Sequence, residues 1–343
     1  MSDKMTPITF KELLNQAIKE YKREKTIYYV PVSKERIKSP IGPAAGPHTQ
    51  LAQNILAAYA GGANHFELKT VQVLEGKELG ILKPCIYVEG EAYNTEWSTE
   101  LTVQEALEEY IKAWFLLKLI SKEFNINDEN DFVFYMSVGY DLKGIKSKKI
   151  DNFIEGLKDA SNTEIWKECK KYSLENLDLF ENVTAEYIEN ITPNICNTIT
   201  LSTMHGCLPE EIEKIAEYLL NEKELSVYIK CNPTLVGYDK AKEILKGLGY
   251  DYVVLSKEAF EHDISFKELT DIIRRLIKIA ENKNLVFGVK LTNTFPVKIT
   301  RNELQGNDMY MSGPPLYPFS INVAAMIAKE FNGDLPVPFG PII

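Results

Sequence analysis

The chain has 343 residues, 45% hydrophobic and 26% charged, the proportions of a globular protein, and its length suits one large barrel with insertions or two ordinary domains. A net charge of -10 and a pI near 5.2 argue against nucleic acid or an anionic membrane surface as main partner. No apolar run approaches the roughly 18 residues that span a bilayer, the first residues do not read as a signal peptide, and a cytoplasmic protein is expected. The cysteines, Cys85, Cys169, Cys196, Cys207 and Cys231, are scattered without a Cys-x-x-Cys pair. That pattern suits reduced thiols, so no metal or iron–sulfur site held by this chain alone is expected.

In chain order, residues 8–23 carry Leu13, Leu14, Ala17 and Ile18 at helical spacing and read as an amphipathic helix that covers something. Residues 37–45 form an apolar element, then small residues, Ala44, Ala45 and Gly46, allow a flat ligand close to the backbone or simply make a tight turn. A helix over 51–59 and a strand over 65–70 follow. Lys69 stands out there, because a lysine among apolar strand residues is costly to bury without a partner. Residues 86–97 look extended, and Thr102-Val-Gln-Glu105 is a capping box that opens a long helix. A strand over 131–137 leads into a charged region. Stretches 72–130 and 143–192 are expected as insertions on the rim of a single 1–343 domain.

Residues 198–201 read as a strand buried on both faces, and Pro209, Glu210 and Glu211 open a helix. Between them lie Ser202, Thr203, His205, Gly206 and Cys207, either an ordinary capped turn or a site, since strand-to-helix loops open at the ligand-binding end of an α/β sheet. Strands over 227–232, 252–256, 286–292 and 335–338 alternate with helices over 239–248, from the Ser265/Glu268 capping box onward, and over 318–331. Near eight strands separated by helices imply parallel pairing and a (β/α)8 TIM barrel, and the dinucleotide fingerprint of an open Rossmann sheet is missing.

Five stretches then carry a resemblance: Pro40-Ile-Gly-Pro-Ala-Ala-Gly46, Glu67-Leu-Lys-Thr70, Leu201-Ser-Thr-Met-His-Gly206, Ile229-Lys-Cys-Asn-Pro233 and Ser312-Gly-Pro-Pro-Leu-Tyr-Pro318. In this order the chain resembles the flavin barrels of the dihydroorotate and dihydropyrimidine dehydrogenase type. More narrowly it is similar to the amino-terminal part of the selenate reductase subunit family of iron–sulfur flavoproteins. The resemblance implies an FMN-dependent oxidoreductase acting on an activated C=C of a pyrimidine- or purine-like heterocycle, with an electron-transfer partner carrying iron–sulfur or FAD centres. It leaves room for a homo-oligomer.

Position by position, the resemblance sets Ala45, Gly46, Lys69, Thr70, Ser312 and Gly313 against FMN. Lys230 matches the family's flavin lysine, and Lys290 matches the motif second. Asn94, Ser202, Asn232 and Asn293 would hold the substrate ring. The family's acid or base is a cysteine or serine where this chain has Thr203, a poor acid at neutral pH without a relay; with His205 and Cys207 two and four residues on, Cys207 could take the role if the loop folds inward, or could only help begin the helix. A helix start should lower the Cys207 thiol pKa from its ordinary value. The family also continues past residue 338 with one more βα unit that helps bind the FMN phosphate, so an incomplete carboxyl-terminal end is expected. Two other classes stay open: a Schiff-base aldolase using Lys230 or Lys290, and a noncatalytic barrel subunit or fragment.

Overall fold

Among the described residues nine strands follow one another: β1 (His65–Glu67), β2 (Ile86–Val88), β3 (Ala92–Asn94), β4 (Val133–Val138), β5 (Thr198–Leu201), β6 (Ser226–Cys231), β7 (Phe287–Leu291), β8 (Phe295–Lys298) and β9 (Asp308–Ser312). The computed structural model describes residues 7–24, 42–75, 78, 80–89, 91–95, 101–126, 132–202 and 207–335. β1, β4, β5, β6 and β7 pair in that order, all parallel. A helix separates each successive pair: Val103–Phe124, Lys148–Lys158, Pro209–Asn221 and Phe266–Asn282. This is the expected α/β barrel wall, since parallel neighbours need a crossover and helices cover its outer face. Residues 42–45 lie beside β1, where Glu67 N–H donates to Pro43 O at 3.1 Å.

Alternation along the strands sorts the side chains into two sets. Phe66, Leu68, Phe134, Met136, Val138, Ile199, Leu201, Val227, Ile229, Phe287, Val289 and Leu291 join the helices in one apolar core. The residues between them, His65, Glu67, Tyr135, Ser137, Thr198, Thr200, Tyr228, Lys230, Gly288 and Lys290, stay out of that core and turn to the barrel axis. Tyr135 and Tyr228 stack at 5.7 Å and His65 meets Tyr135 at 4.4 Å, which confirms a shared interior. The interior is therefore polar while the wall is greasy.

Beyond Glu67 the alternation breaks. Glu67 pairs with Tyr135 but Val71 bridges Val138, so four steps on one strand oppose three on the other. This bulge turns Thr70 inward, where its hydroxyl meets that of Ser137 at 2.8 Å.

The second sheet, ordered β2-β3-β9-β8, is antiparallel throughout. β8 starts four residues after β7 ends, so this sheet sits at the carboxyl end of the barrel strands. β8 and β9 were not expected from the sequence. Residues 252–256 are a correction: they do not enter the barrel but border β8, with Leu255 bridging Val297 antiparallel and Lys298 N–H donating to Val254 O at 2.8 Å. Val254 is 47% exposed, which a barrel strand covered on both faces would not allow. Glu91 ties this layer together, accepting from Tyr252 OH at 2.6 Å and from Arg301 Nη2 at 2.8 Å.

Within the expected insertions, residues 86–94 join the second sheet, while Val103–Phe124 and Lys148–Lys158 are wall helices. Both capping boxes form, Thr102 with Glu105 and Ser265 with Glu268. The first helix, Phe10–Glu24, covers the outside of the wall, with Phe10 edge-on to Phe115 and Tyr172. Residues 37–41 and 336–338 of the expected first and last strands lie outside the described residues.

Candidate active site at the barrel mouth

Inward-facing positions at the strand ends bring charge together. Lys230 and Lys290 are register partners on β6 and β7, and Glu67 on β1 answers both: Oε1 lies 3.1 Å from Lys230 Nζ and Oε2 2.8 Å from Lys290 Nζ. The backbone N–H of Ala45 donates to the same Oε2 at 2.8 Å. All three side chains are buried. Burial alone would favour a neutral Glu67, but the two lysines and the Ala45 amide together hold its carboxyl well below the usual carboxylate range. Sequence reasoning left open which lysine meets a ligand; the structure places both on one carboxylate.

Lys69 is the third cation. It is 9% exposed and has no hydrogen-bond or ion-pair partner among the described residues. Burial, then the nearby Lys230 charge, lower its pKa to about 8, with Glu67 opposing. Three lysines against one glutamate leave the mouth with surplus positive charge near neutral pH. Neighbouring imidazoles do not change this sign: burial and Lys290 bring His65 down to about 4, and burial and Lys69 lower His48.

A depressed lysine pKa costs stability below about pH 8 and releases that cost as pH rises toward the ordinary value of 10.5, because only the unfolded chain still binds the proton in that window. Lys69→Met should therefore raise ligand-free stability at pH 7 by about 1–3 kcal/mol and flatten the rise between pH 8 and 10.5. Urea denaturation of both proteins at pH 7 and 9 measures this.

Beside the lysines runs a chain of polar groups. Ser202 Oγ donates to Asn293 Oδ1 at 3.1 Å, and Asn293 Nδ2 donates to Asn232 Oδ1 at 2.7 Å. Asn232 Nδ2 then donates to Asp263 Oδ2 at 3.1 Å, which also accepts from Thr234 Oγ1 at 2.6 Å. The loops after β5, β6 and β7 are thus locked in one orientation, which brings Ser202, Asn232 and Asn293 together. Asp263 is the anchor that sequence reasoning missed; its position just past a short helix, Lys257–His262, gave no signal.

The other expected residues are more scattered. Ala45 and Gly46 approach the site through the Ala45–Glu67 bond, and a Cβ at Gly46 would meet the His48 ring at 2.5 Å. Asn94 lies on β3 with its amide turned to Thr95 O, while Ser312 Oγ donates to Ala92 O at 3.3 Å within the second sheet. Gly313, at φ +76°, opens the turn into the helix Tyr317–Glu330. Thr203 and His205 lie outside the described residues. The expectation of a lowered Cys207 pKa is corrected: burial, then Glu211, Asp141 and Asp263, push its thiol up to about 12, and these carboxylates outweigh any helix-start effect. Glu67 itself was legible by the argument applied to Lys69, as a charged residue two positions earlier on the same strand.

Among the described residues no helix is long and apolar enough to cross a membrane. Two solved structures of dihydroorotate dehydrogenase from Eimeria tenella align with 96% of the chain. The ligand-free form is 13% identical, with 81% of that chain covered and a TM-score of 0.49, and the ferulenol complex is 14% identical, with 78% covered and a TM-score of 0.48. The oxidoreductases named YgfK of Escherichia coli strains K12 and O157:H7 are 42% identical over 365 aligned positions, covering 99% of this chain and 35% of theirs. The chain thus spans about a third of the length of these relatives. The family profile of the oxidoreductase YgfK amino-terminal TIM-barrel domain matches residues 14–341, and the chain belongs to that family.

Proposed function

We propose that the chain is the FMN-binding barrel of an oxidoreductase that acts on an activated C=C of a pyrimidine- or purine-like heterocycle. The observation that carries this reading is the buried trio of Lys69, Lys230 and Lys290 around a single Glu67 at the carboxyl end of a parallel barrel. Surplus buried cations need an electron-rich partner, and a flavin becomes negative at its N1–C2 carbonyl end when reduced. The donor set fits: among the described residues Lys69 has no hydrogen-bond or ion-pair partner and the buried His48 Nε2 has no hydrogen-bond partner, and residues 44–46 carry no side chain larger than a methyl.

Lys69, Lys230 or Lys290 and the backbone around Ala45 and Gly46 would hold the cofactor, with Thr70, Ser312 and Gly313 as further contacts. Bound there, FMN would supply hydride chemistry that no side chain can. The residues of the chain do the rest. Ser202, Asn232 and Asn293 would orient a planar ring through fixed amide donors and acceptors, with Asn94 closing from the second sheet. Cys207 keeps its proton at neutral pH, so the role open to it is that of an acid rather than a base, beside Thr203 and His205. Electrons would pass to or from a partner with iron–sulfur or FAD centres, as in the flavoproteins of the selenate reductase subunit type.

Titrating the purified protein with FMN, followed by the flavin absorbance shift and fluorescence quenching, tests the reading. Stoichiometric uptake by the wild type is expected, with at least about tenfold weaker uptake by Lys69→Met, equal to roughly 1.4 kcal/mol. Absence of uptake would end it. One observation favours a second reading: an amine near pKa 8, as at Lys69, is also suited to Schiff-base chemistry. Borohydride trapping of a carbonyl compound on Lys69, Lys230 or Lys290 would establish that alternative.

A further inference from the structure

Several buried polar atoms have no hydrogen-bond partner among the described residues. They include His48 Nε2, Thr95 Oγ1, Thr200 Oγ1 and both amide atoms of Gln72. Gln72 is the extreme case, since its side chain is 2% exposed and neither Nε2 nor Oε1 finds a donor or acceptor among the described residues. Its place follows from the backbone. Val71 N–H donates to Ser137 O at 3.1 Å and Val71 O accepts from Gly139 N at 3.0 Å, while the Val71 side chain packs into the outer core. The pleat then turns Gln72 to the side of Thr70, whose hydroxyl meets Ser137. Across the end of β4, Ser202 N–H donates to Val138 O at 2.8 Å. Gln72 and Ser202 therefore flank the same strand end, with Lys69 three residues before Gln72.

A primary amide carries two donor hydrogens and an acceptor oxygen, and burying all of them unpaired is among the costliest arrangements a core can hold. The arrangement is satisfied by a group that takes the place of the side chains packed on the amide and offers one acceptor and one donor side by side. A ring edge of the form –CO–NH– does this: its carbonyl accepts from Nε2–H and its N–H donates to Oε1. A carboxylate or phosphate would satisfy the donors alone, and an ammonium ion the acceptor alone.

We propose that Gln72 is a ligand-recognition residue whose amide pairs with the –CO–NH– edge of a lactam or cyclic imide ring bound at the barrel mouth. This rests on the redox reading of the site and names the ring edge its substrate presents. Gln72 selects such rings over their N-alkylated forms, because a methyl on the ring nitrogen removes the donor and leaves Oε1 unpaired.

The test is calorimetric titration of the full chain, with FMN added, by uracil and hypoxanthine and by their counterparts 1,3-dimethyluracil and 1-methylhypoxanthine. At least one unmethylated ring should bind at least about tenfold more tightly than its methylated partner. Gln72→Leu, similar in volume, should lose that preference and bind the free ring at least about tenfold more weakly. It should take up FMN as the wild type does and melt no lower without ligand, because an unpaired amide has been removed. The inference is overturned if methylated and free rings bind alike, if no lactam ring binds, if Gln72→Leu keeps the preference, or if it melts lower without ligand, which would reveal a structural partner. Failure of the wild type to take up FMN strikes the flavin reading instead, and the same titrations without FMN then decide on Gln72.

Discussion

Glu67→Gln should lower the unfolding free energy at pH 7 by about 3–5 kcal/mol, the range for breaking a buried ion pair from one side. The substitution keeps the size of the side chain, so the loss comes from charge: Lys230 and Lys290 remain buried with no carboxylate between them. The amide also presents hydrogens to at least one ammonium group, adding repulsion where there was attraction. The pH dependence separates this from a packing defect. Lysine charges hold the Glu67 carboxyl below its ordinary value of 4.5, so its contribution is complete above that value and fades as pH falls toward the folded pKa. The gap between wild type and Glu67→Gln should therefore be narrower at pH 3 than at pH 7. Equal gaps in urea denaturation at the two pH values would show that the carboxylate charge is not what holds the cluster.

Gly42→Ala should be at least as damaging, with a loss above about 4 kcal/mol or outright failure to fold. A Cβ on Gly42 would lie 1.5 Å from the His65 carbonyl oxygen and 2.5 Å from its carbon. Both atoms are backbone, and no rotamer change relieves the overlap. Residues 42–45 would have to leave the edge of β1, breaking the Glu67 N–H to Pro43 O bond and pulling the Ala45 amide from Glu67. A thermal melt read beside Gly247→Ala makes the comparison internal. Nothing lies within 4 Å of a Cβ at Gly247, which ends the helix Tyr238–Gly247. That variant should be neutral or gain up to about 1 kcal/mol. A mild effect at Gly42 would mean that this stretch does not press on β1 as described.

The parts of the fold that were legible in the sequence are those whose signals are local. Thr102 with Glu105 and Ser265 with Glu268 announce helix starts within four residues, and β5 reads as a buried strand from its own composition. The antiparallel layer was not legible, because β2–β3 and β8–β9 become a sheet only by pairing across more than two hundred residues. Residues 252–256 illustrate the same limit: Tyr252-Val-Val-Leu-Ser256 has strand composition, but its partner is Val297, which no local pattern announces. At the site, Lys69, Lys230 and Lys290 could be picked out as charged residues in apolar strands. Their dependence on Glu67 could not, since a shared counter-ion is a property of three strands at once. Asp263 and Gln72 escaped for different reasons: Asp263 sits in an undistinguished turn, and the significance of Gln72 lies in partners it lacks.

The extra residue between Glu67 and Val71 has a consequence for how this region tolerates insertion or deletion. Removing any one residue there would leave three steps facing three, so the pairing with β4 becomes regular while Val71 keeps its place opposite Val138. A single inward position would then lie between Glu67 and Val71 where Lys69 and Thr70 now both reach the lumen, so the chain could keep its barrel and lose its surplus lysine through a single-codon slip.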